Sequence, residues 1–257
     1  MELRIALCQC DIAWEQPARN LARLEPMVAA AEADVVLLPE LFATGFTLDP
    51  AGVADGAGGA VVTALRRWAA RYGKAVAGSV AVAENGRFYN RMYFVKPSGE
   101  FIGYDKRHLF APGGEARQYT PGDSRAVVEY GGVRFLLLVC YDLRFPVWAR
   151  NTPEQHFDLL LYVACWPEKR SHHWRSLLPA RAIENQCYVV AANRVGEDGN
   201  GINHTGDSCV INALGEMVLT GLNEEAALTA SLDINHVRDV RQRLPFLKDA
   251  DSFALNE

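Results

Sequence analysis

The chain has 257 residues, 49% hydrophobic and 22% charged, with a formal net charge of -5 at pH 7. That balance belongs to a globular protein with a sizeable core and excludes a disordered or fibrous chain. Lys and Arg residues never cluster beyond pairs, so the basic stripe that nucleic acid demands is missing and small molecules are the expected partners.

Residues 3–9 form an apolar run read as a strand, with Glu2 before it and no basic leader, so neither an export signal nor a membrane span is expected. The expected compartment is the reducing cytoplasm, where the cysteines at 8, 10, 140, 165, 187 and 209 stay free thiols. Pro17 opens an amphipathic helix over 17–33, and the Val-Val-Leu-Leu core of 34–39 is a buried strand ending at Glu40. A helix over 61–72 precedes strands at 74–83 and 87–95, joined through Asn85-Gly86, a strong hairpin signal. A strand at 101–104 leads into a polar, Gly/Pro-rich loop over 105–125, long enough to carry function. Strands at 126–130 and 133–139 flank Gly131-Gly132, and a helix is expected to begin over 145–151. Then follow a strand at 158–163, a helix at 172–185, a strand at 187–193, a loop at 196–206, a hairpin within 207–219 and a strand at 226–232. Hairpins among helix-linked strands require mixed pairing, so two mixed sheets packed face to face with helices outside accommodate the α/β pattern. No linker or repeat interrupts it, so one domain over 1–257 is expected.

Four polar residues stand out. Cys140 ends the apolar run 133–139, and Glu40 ends another strand, while Lys106 and Glu115 lie in the long loop. Taken singly, each has an ordinary reading: a small core thiol, a helix cap, two solvated charges. Together they supply what acyl transfer to sulfur requires. A thiol is mostly protonated at neutral pH, so it needs a base such as Glu40 or a cation such as Lys106. The oxyanion needs fixed donors, which Lys106 and the backbone N–H of Tyr141 would provide, with Glu115 keeping Lys106 charged. No Cys-x-x-Cys pair or zinc spacing is present, so neither metal nor cofactor is expected.

The series Leu-Leu-Pro-Glu-Leu-Phe-Ala-Thr-Gly-Phe, Tyr-Asp-Lys-Arg-His-Leu-Phe, Val-Cys-Tyr-Asp-Leu-Arg-Phe-Pro and Ala-Arg-Ala-Ile-Glu-Asn-Gln resembles the nitrilase (carbon-nitrogen hydrolase) superfamily, from Ile5 to about Leu232. The resemblance implies a four-layer αββα sandwich and assembly as a homodimer. It also implies Glu40 as general base, Lys106 as oxyanion lysine, Cys140 as nucleophile and Glu115 as the second glutamate. The stretch Cys-Tyr-Asp-Leu-Arg-Phe, with Tyr-Val-Ala-Cys-Trp-Pro later, is similar to the omega-amidase branch, whose bacterial members hydrolyse the terminal amide of 2-oxo acids such as 2-oxoglutaramate and 2-oxosuccinamate. Cys165 departs from the residue often found before that Trp.

A dicarboxylic monoamide carries a carboxylate, for which Arg144, Arg194 and His173 are candidates by type. Arg144 has a second reading, an ion pair with Glu184. Phe42, Phe46 and Trp166 are candidates to shape the pocket, or plain core aromatics, and the helix carrying Arg181 and Glu184 is a candidate dimer surface. Competing functions are another amidase of the superfamily, an N-carbamoyl amino acid hydrolase, and a catalytically idle binding protein.

Overall fold

The computed structural model describes residues 1–56, 58–152 and 155–254. Strand β1 (Glu2–Gln9) is apolar on both faces: Leu3, Ile5 and Leu7 point one way, Ala6 and Cys8 the other, all buried. Such a strand belongs in the middle of a layered structure. Helix α1 (Pro17–Ala30) begins with proline, where the missing N–H costs nothing, and lays Leu24 and Val28 against the Ala6 and Cys8 face. It stops three residues before the expected end at 33. The Lys74 ammonium satisfies its last carbonyls, donating to those of Val28, Ala29 and Ala31.

Strand β2 (Val35–Leu37) pairs parallel with β1. A two-residue strand β3 (Asp55–Gly56) and helix α2 (Ala60–Tyr72) follow, the helix ending at Gly73 in the left-handed region. Strands β4 (Ala75–Glu84) and β5 (Arg87–Val95) turn through Asn85 and Gly86, both at positive φ as the hairpin signal requires. Strand β6 (Phe101–Asp105) pairs with β5.

The second sheet starts with β7 (Val127–Tyr130) and β8 (Val133–Val139), turning through Gly131-Gly132. Strand β9 (Leu159–Ala164) runs parallel to β8, helix α3 (Ser171–Asn185) crosses over, and β10 (Tyr188–Asn193) runs parallel to β9. Strands β11 (Val195–Glu197) and β12 (Asn203–Thr205) form a small hairpin, then β13 (Cys209–Ile211) and β14 (Met217–Thr220) close this sheet in the order β14-β13-β10-β9-β8-β7. Strand β15 (Ala226–Asp233) returns to lie antiparallel to β1, giving the first sheet its order β15-β1-β2-β4-β5-β6, with β3 beside β4. Helix α4 (Ile234–Arg243) follows, capped by the Asp233 carboxylate, which accepts from the N–H of Asn235.

The two mixed sheets face each other through a core that includes Leu3, Ile5, Leu7, Phe94 and Phe135; the Phe94 and Phe135 rings lie 5.4 Å apart. Helices α1 and α2 cover one sheet and α3 the other, with Trp174 and Leu178 inward, so the layers run α, β, β, α. This is the α/β four-layer sandwich that the sequence resemblance implies.

Two local expectations fail. The helix expected over 145–151 is absent: a short 3-10 turn (Cys140–Arg144) ends at Phe145, and irregular turns follow. Pro146 is the cause, because a residue before proline is pushed out of the helical region, and Phe145 sits at φ -116 and ψ 86. The loop expected at 196–206 contains the β11–β12 hairpin.

Gly78 in β4 is needed for its lack of a side chain. A Cβ there would stand 2.9 Å from Leu38 Cβ and 2.9 Å from Phe42 Cδ1, in the turn that follows β2. Gly78→Ala should therefore destabilise the fold by about 1–3 kcal/mol, the usual cost of overpacking a tight core, as measured by urea unfolding. A variant as stable as the parent would show that this turn yields freely.

Candidate active site

Strand ends supply the cluster. Glu40 follows β2, Lys106 follows β6, Cys140 follows β8 and Cys165 follows β9, the carboxyl edges where open α/β sheets place their chemistry. The sequence-expected quartet does come together. Lys106 Nζ donates to Glu40 Oε1 at 2.7 Å and to Glu115 Oε2 at 2.8 Å and Oε1 at 3.0 Å, and all three side chains are buried.

Each carboxylate is held by further donors. The Cys165 N–H donates to Glu40 Oε2 at 2.8 Å, and the Cys165 thiol donates to the Glu40 carbonyl at 3.2 Å. The departure at Cys165 thus leaves the backbone contact intact, since the amide N–H is common to almost any residue. The N–H of Phe110 donates to Glu115 Oε2 at 2.6 Å. Asn90, in the middle of β5, donates its amide to Glu40 Oε1 at 2.8 Å and Glu115 Oε1 at 3.1 Å. Sequence reasoning passed over Asn90, whose signal was a buried amide within an otherwise aromatic strand, Arg-Phe-Tyr-Asn-Arg-Met-Tyr.

The electrostatics follow from this packing. Burial alone pulls the Lys106 ammonium towards neutrality, but the Glu115 and Glu40 carboxylates outweigh it and hold Lys106 protonated well above the usual lysine range. Burial pushes Glu115 up from the ordinary carboxylate range; Lys106 opposes that shift and Glu40 adds to it. The Cys140 thiol is pushed far above the usual thiol range, first by burial and then by the Glu40 carboxylate, against the pull of Lys106. At rest the cluster therefore holds a neutral thiol beside a carboxylate, able to pass its proton to that carboxylate as sulfur bonds to carbon.

Cys140 sits in a strained turn at φ 43, a region that costs a residue with a side chain about 1–3 kcal/mol. Asp142 holds the turn. Its Oδ2 accepts from the N–H of Val139 at 2.9 Å and the hydroxyl of Tyr104 at 2.8 Å, and its Oδ1 accepts from the N–H of His108 at 3.0 Å. Arg181 secures the far end, donating to the Leu143 carbonyl at 2.6 Å.

The thiol opens into a cleft whose lining includes Phe46, Phe110, Tyr141, Arg144 and Trp166. Phe46 stands over Lys106, whose Nζ lies 5.5 Å from its ring centre. Phe42 is not a pocket residue: it is fully buried with the helix-side core, against Gly78. His173 does not line the cleft; its Nδ1 instead accepts from Arg144 Nη2 at 3.1 Å. Arg144 does not pair with Glu184, which lies 3.2 Å from Arg181 one helical turn away on α3. Arg194 is fully buried and donates to Asp11 Oδ1 at 2.7 Å, which removes it as a substrate contact. Among the described residues, no cluster of three or more His, Cys, Asp or Glu side chains is arranged to hold a metal ion, and no helix is long and apolar enough to cross a membrane.

The profile of the carbon-nitrogen hydrolase family matches residues 4–242. The omega-amidase YafV of Escherichia coli is 43% identical over 255 residues, covering 98% of this chain and 98% of that one. The 2-oxoglutaramate amidase of Bacillus subtilis is 36% identical, covering 97% and 98%. A CN-hydrolase superfamily protein of Xanthomonas campestris, solved with an arsenic adduct in its active site, is 40% identical, covers 100% of both chains and superposes with a TM-score of 0.97.

The shifted thiol has a spectroscopic consequence. The ultraviolet difference between the parent and Cys140→Ala should show no thiolate band at neutral pH, because ionisation of the isolated thiol is deferred to strongly alkaline solution. A thiolate band near pH 7 would mean that Lys106 outweighs both burial and Glu40.

Proposed function

The chain belongs to the carbon-nitrogen hydrolase family and hydrolyses the carbon-nitrogen bond of linear amides; from that premise we propose the residues that carry the reaction and the amide they act on. The protein is an omega-amidase that releases ammonia from the terminal amide of 2-oxo dicarboxylic acid monoamides such as 2-oxoglutaramate and 2-oxosuccinamate, a reading supported by its full-length similarity to bacterial omega-amidases. The observation that carries the mechanism is the buried Glu40–Lys106–Glu115 triplet beside the Cys140 thiol.

Cys140 is the nucleophile. Its sulfur attacks the amide carbon while Glu40 accepts the thiol proton, and the carbonyl oxygen becomes an oxyanion facing Lys106 Nζ and the Tyr141 N–H. Glu40 then returns that proton to the amide nitrogen, the carbon-nitrogen bond breaks and ammonia leaves a thioester on Cys140. A water loses its proton to Glu40 as its oxygen bonds to the thioester carbon; the acid departs and the thiol regains the proton. Glu115 keeps Lys106 charged throughout. Every step uses side chains, backbone and water alone.

Three further features belong to this reading. The whole of 1–257 acts as one domain, working in the cytoplasm, where free thiols persist. It pairs as a homodimer through the α3 face and the β14 edge. There Ile183, Met217 and Val218 are about half exposed, and a Cβ on Gly215 would stand 2.6 Å from Ile183 Cδ1. Arg181 on the same helix points inward and lies apart from that surface.

Ammonia release should be measured across short monoamides with and without the 2-oxo group. The parent should favour the 2-oxo acids, Cys140→Ala should release none, and Glu40→Gln should lose roughly 10²–10⁴-fold in kcat, the usual worth of a general base. Turnover of an N-carbamoyl amino acid in place of 2-oxoglutaramate would transfer the protein to another branch of the family.

A further inference from the structure

The inner and outer ends of the cleft carry opposite charge. At the floor, two carboxylates and one ammonium leave a net negative charge around the neutral Cys140 thiol. Two guanidinium groups that are only partly buried, Arg144 and Arg170, also line the cleft, and no carboxylate lies within ion-pair distance of either among the described residues. Asp198 is the acidic side chain in the cleft lining; it is buried, and its Oδ1 accepts from the backbone N–H groups of Asn200 and Ile202.

Both arginines are held in place without being neutralised. The Arg144 guanidinium lies 4.8 Å from the Trp166 ring centre and 5.9 Å from that of Tyr141, and it donates to His173. Arg170 lies 5.1 Å from the Phe110 ring centre. Trp166 links the two, because its indole N–H donates to the Arg170 carbonyl at 2.7 Å while its ring carries Arg144. Stacked guanidinium groups keep their N–H edges available, and such edges match a carboxylate.

Resting on the omega-amidase reading above, we infer that Arg144 and Arg170 form a clamp for the substrate's carboxylate that orients the molecule amide-first towards Cys140. An anion entering this cleft is attracted to the arginines and repelled by Glu40 and Glu115, so its uncharged amide end is the end presented to sulfur. The clamp thus selects the terminal amide over the acid end, and monoanionic over neutral amides, by charge order along one axis. Arg170 has no counterpart in the sequence motifs around Glu40, Lys106 and Cys140; the fold brings it to the cleft through the short turn before α3.

The test compares kcat/KM for 2-oxoglutaramate with that for a neutral amide of similar length, in the parent and in Arg144→Gln and Arg170→Gln. A charge-assisted hydrogen bond to a carboxylate predicts that the anionic-to-neutral ratio falls roughly 10- to 100-fold in each variant, chiefly through KM. Arg170→Lys should restore part of the ratio, which repair of a merely structural defect would not do. An unchanged ratio in either glutamine variant overturns the clamp. Failure of the omega-amidase reading is visible separately, in a parent enzyme that releases no ammonia from 2-oxoglutaramate while turning over another anionic amide.

Discussion

A buried lysine shared by two buried glutamates is the constraint on which the rest of this structure depends. Fully desolvated charges are tolerated only where partners replace the lost water, and removing one member of such a set typically costs about 3–5 kcal/mol. Lys106, Glu40 and Glu115 come from the segments after β6, after β2 and within the long loop, so the electrostatics can be satisfied only when the sheet is assembled in register. Asn90 reinforces that dependence from β5, since one amide donates to both carboxylates. The 105–125 segment is long because it must leave the sheet with Lys106 and return to set Glu115 against it.

A second network holds the turn that carries Cys140. Asp142 accepts from Val139, Tyr104 and His108, and the Tyr104 hydroxyl in turn accepts from the Trp148 indole at 2.9 Å. Those contacts offset the cost of the positive φ at Cys140. The turn so held places Cys140 beside Glu40 and Tyr141 at the cleft, the arrangement on which the proposed attack and oxyanion contact both rely. The two networks are joined through the 104–110 segment, from which Tyr104 and His108 donate to Asp142 while Lys106 and the Phe110 N–H donate to Glu115.

The cleft above them is aromatic with a cationic outer end, an arrangement different in kind from the floor. Aromatic rings there support guanidinium groups through their faces while adding no charge of their own. The buried charges of Glu40, Lys106 and Glu115 lie beside the thiol, and the rest of the cleft lining comes from the Cys140–Arg144 turn, the 166–170 turn and the 198–204 hairpin region.

The sequence by itself determined most of the strands, the hairpins at Asn85-Gly86 and Gly131-Gly132, the mixed α/β layering, and the choice of Glu40, Lys106, Glu115 and Cys140 as the polar residues to single out. These rest on local signals: apolar runs, turn residues, polar residues that end such runs, and charged residues in an unusually long loop. Pro146 also carried its message locally, and it outweighed the apolar pattern that promised a helix at 145–151. What only the tertiary structure decided is pairing across long separations. Asn90 looks like any strand amide until Glu40, fifty positions earlier, is folded against it. Arg144 and Glu184 look like ion partners until Arg181, on the same helix as Glu184, claims the carboxylate first, and Arg194 looks available until Asp11 is found beside it. Phe42 and Phe46 are four residues apart and chemically identical, yet one fills the core and the other walls the cleft. Side-chain identity fixes what a group can bind, but which neighbour it meets is set by sheet register and by competition among partners, and neither is written in the local pattern.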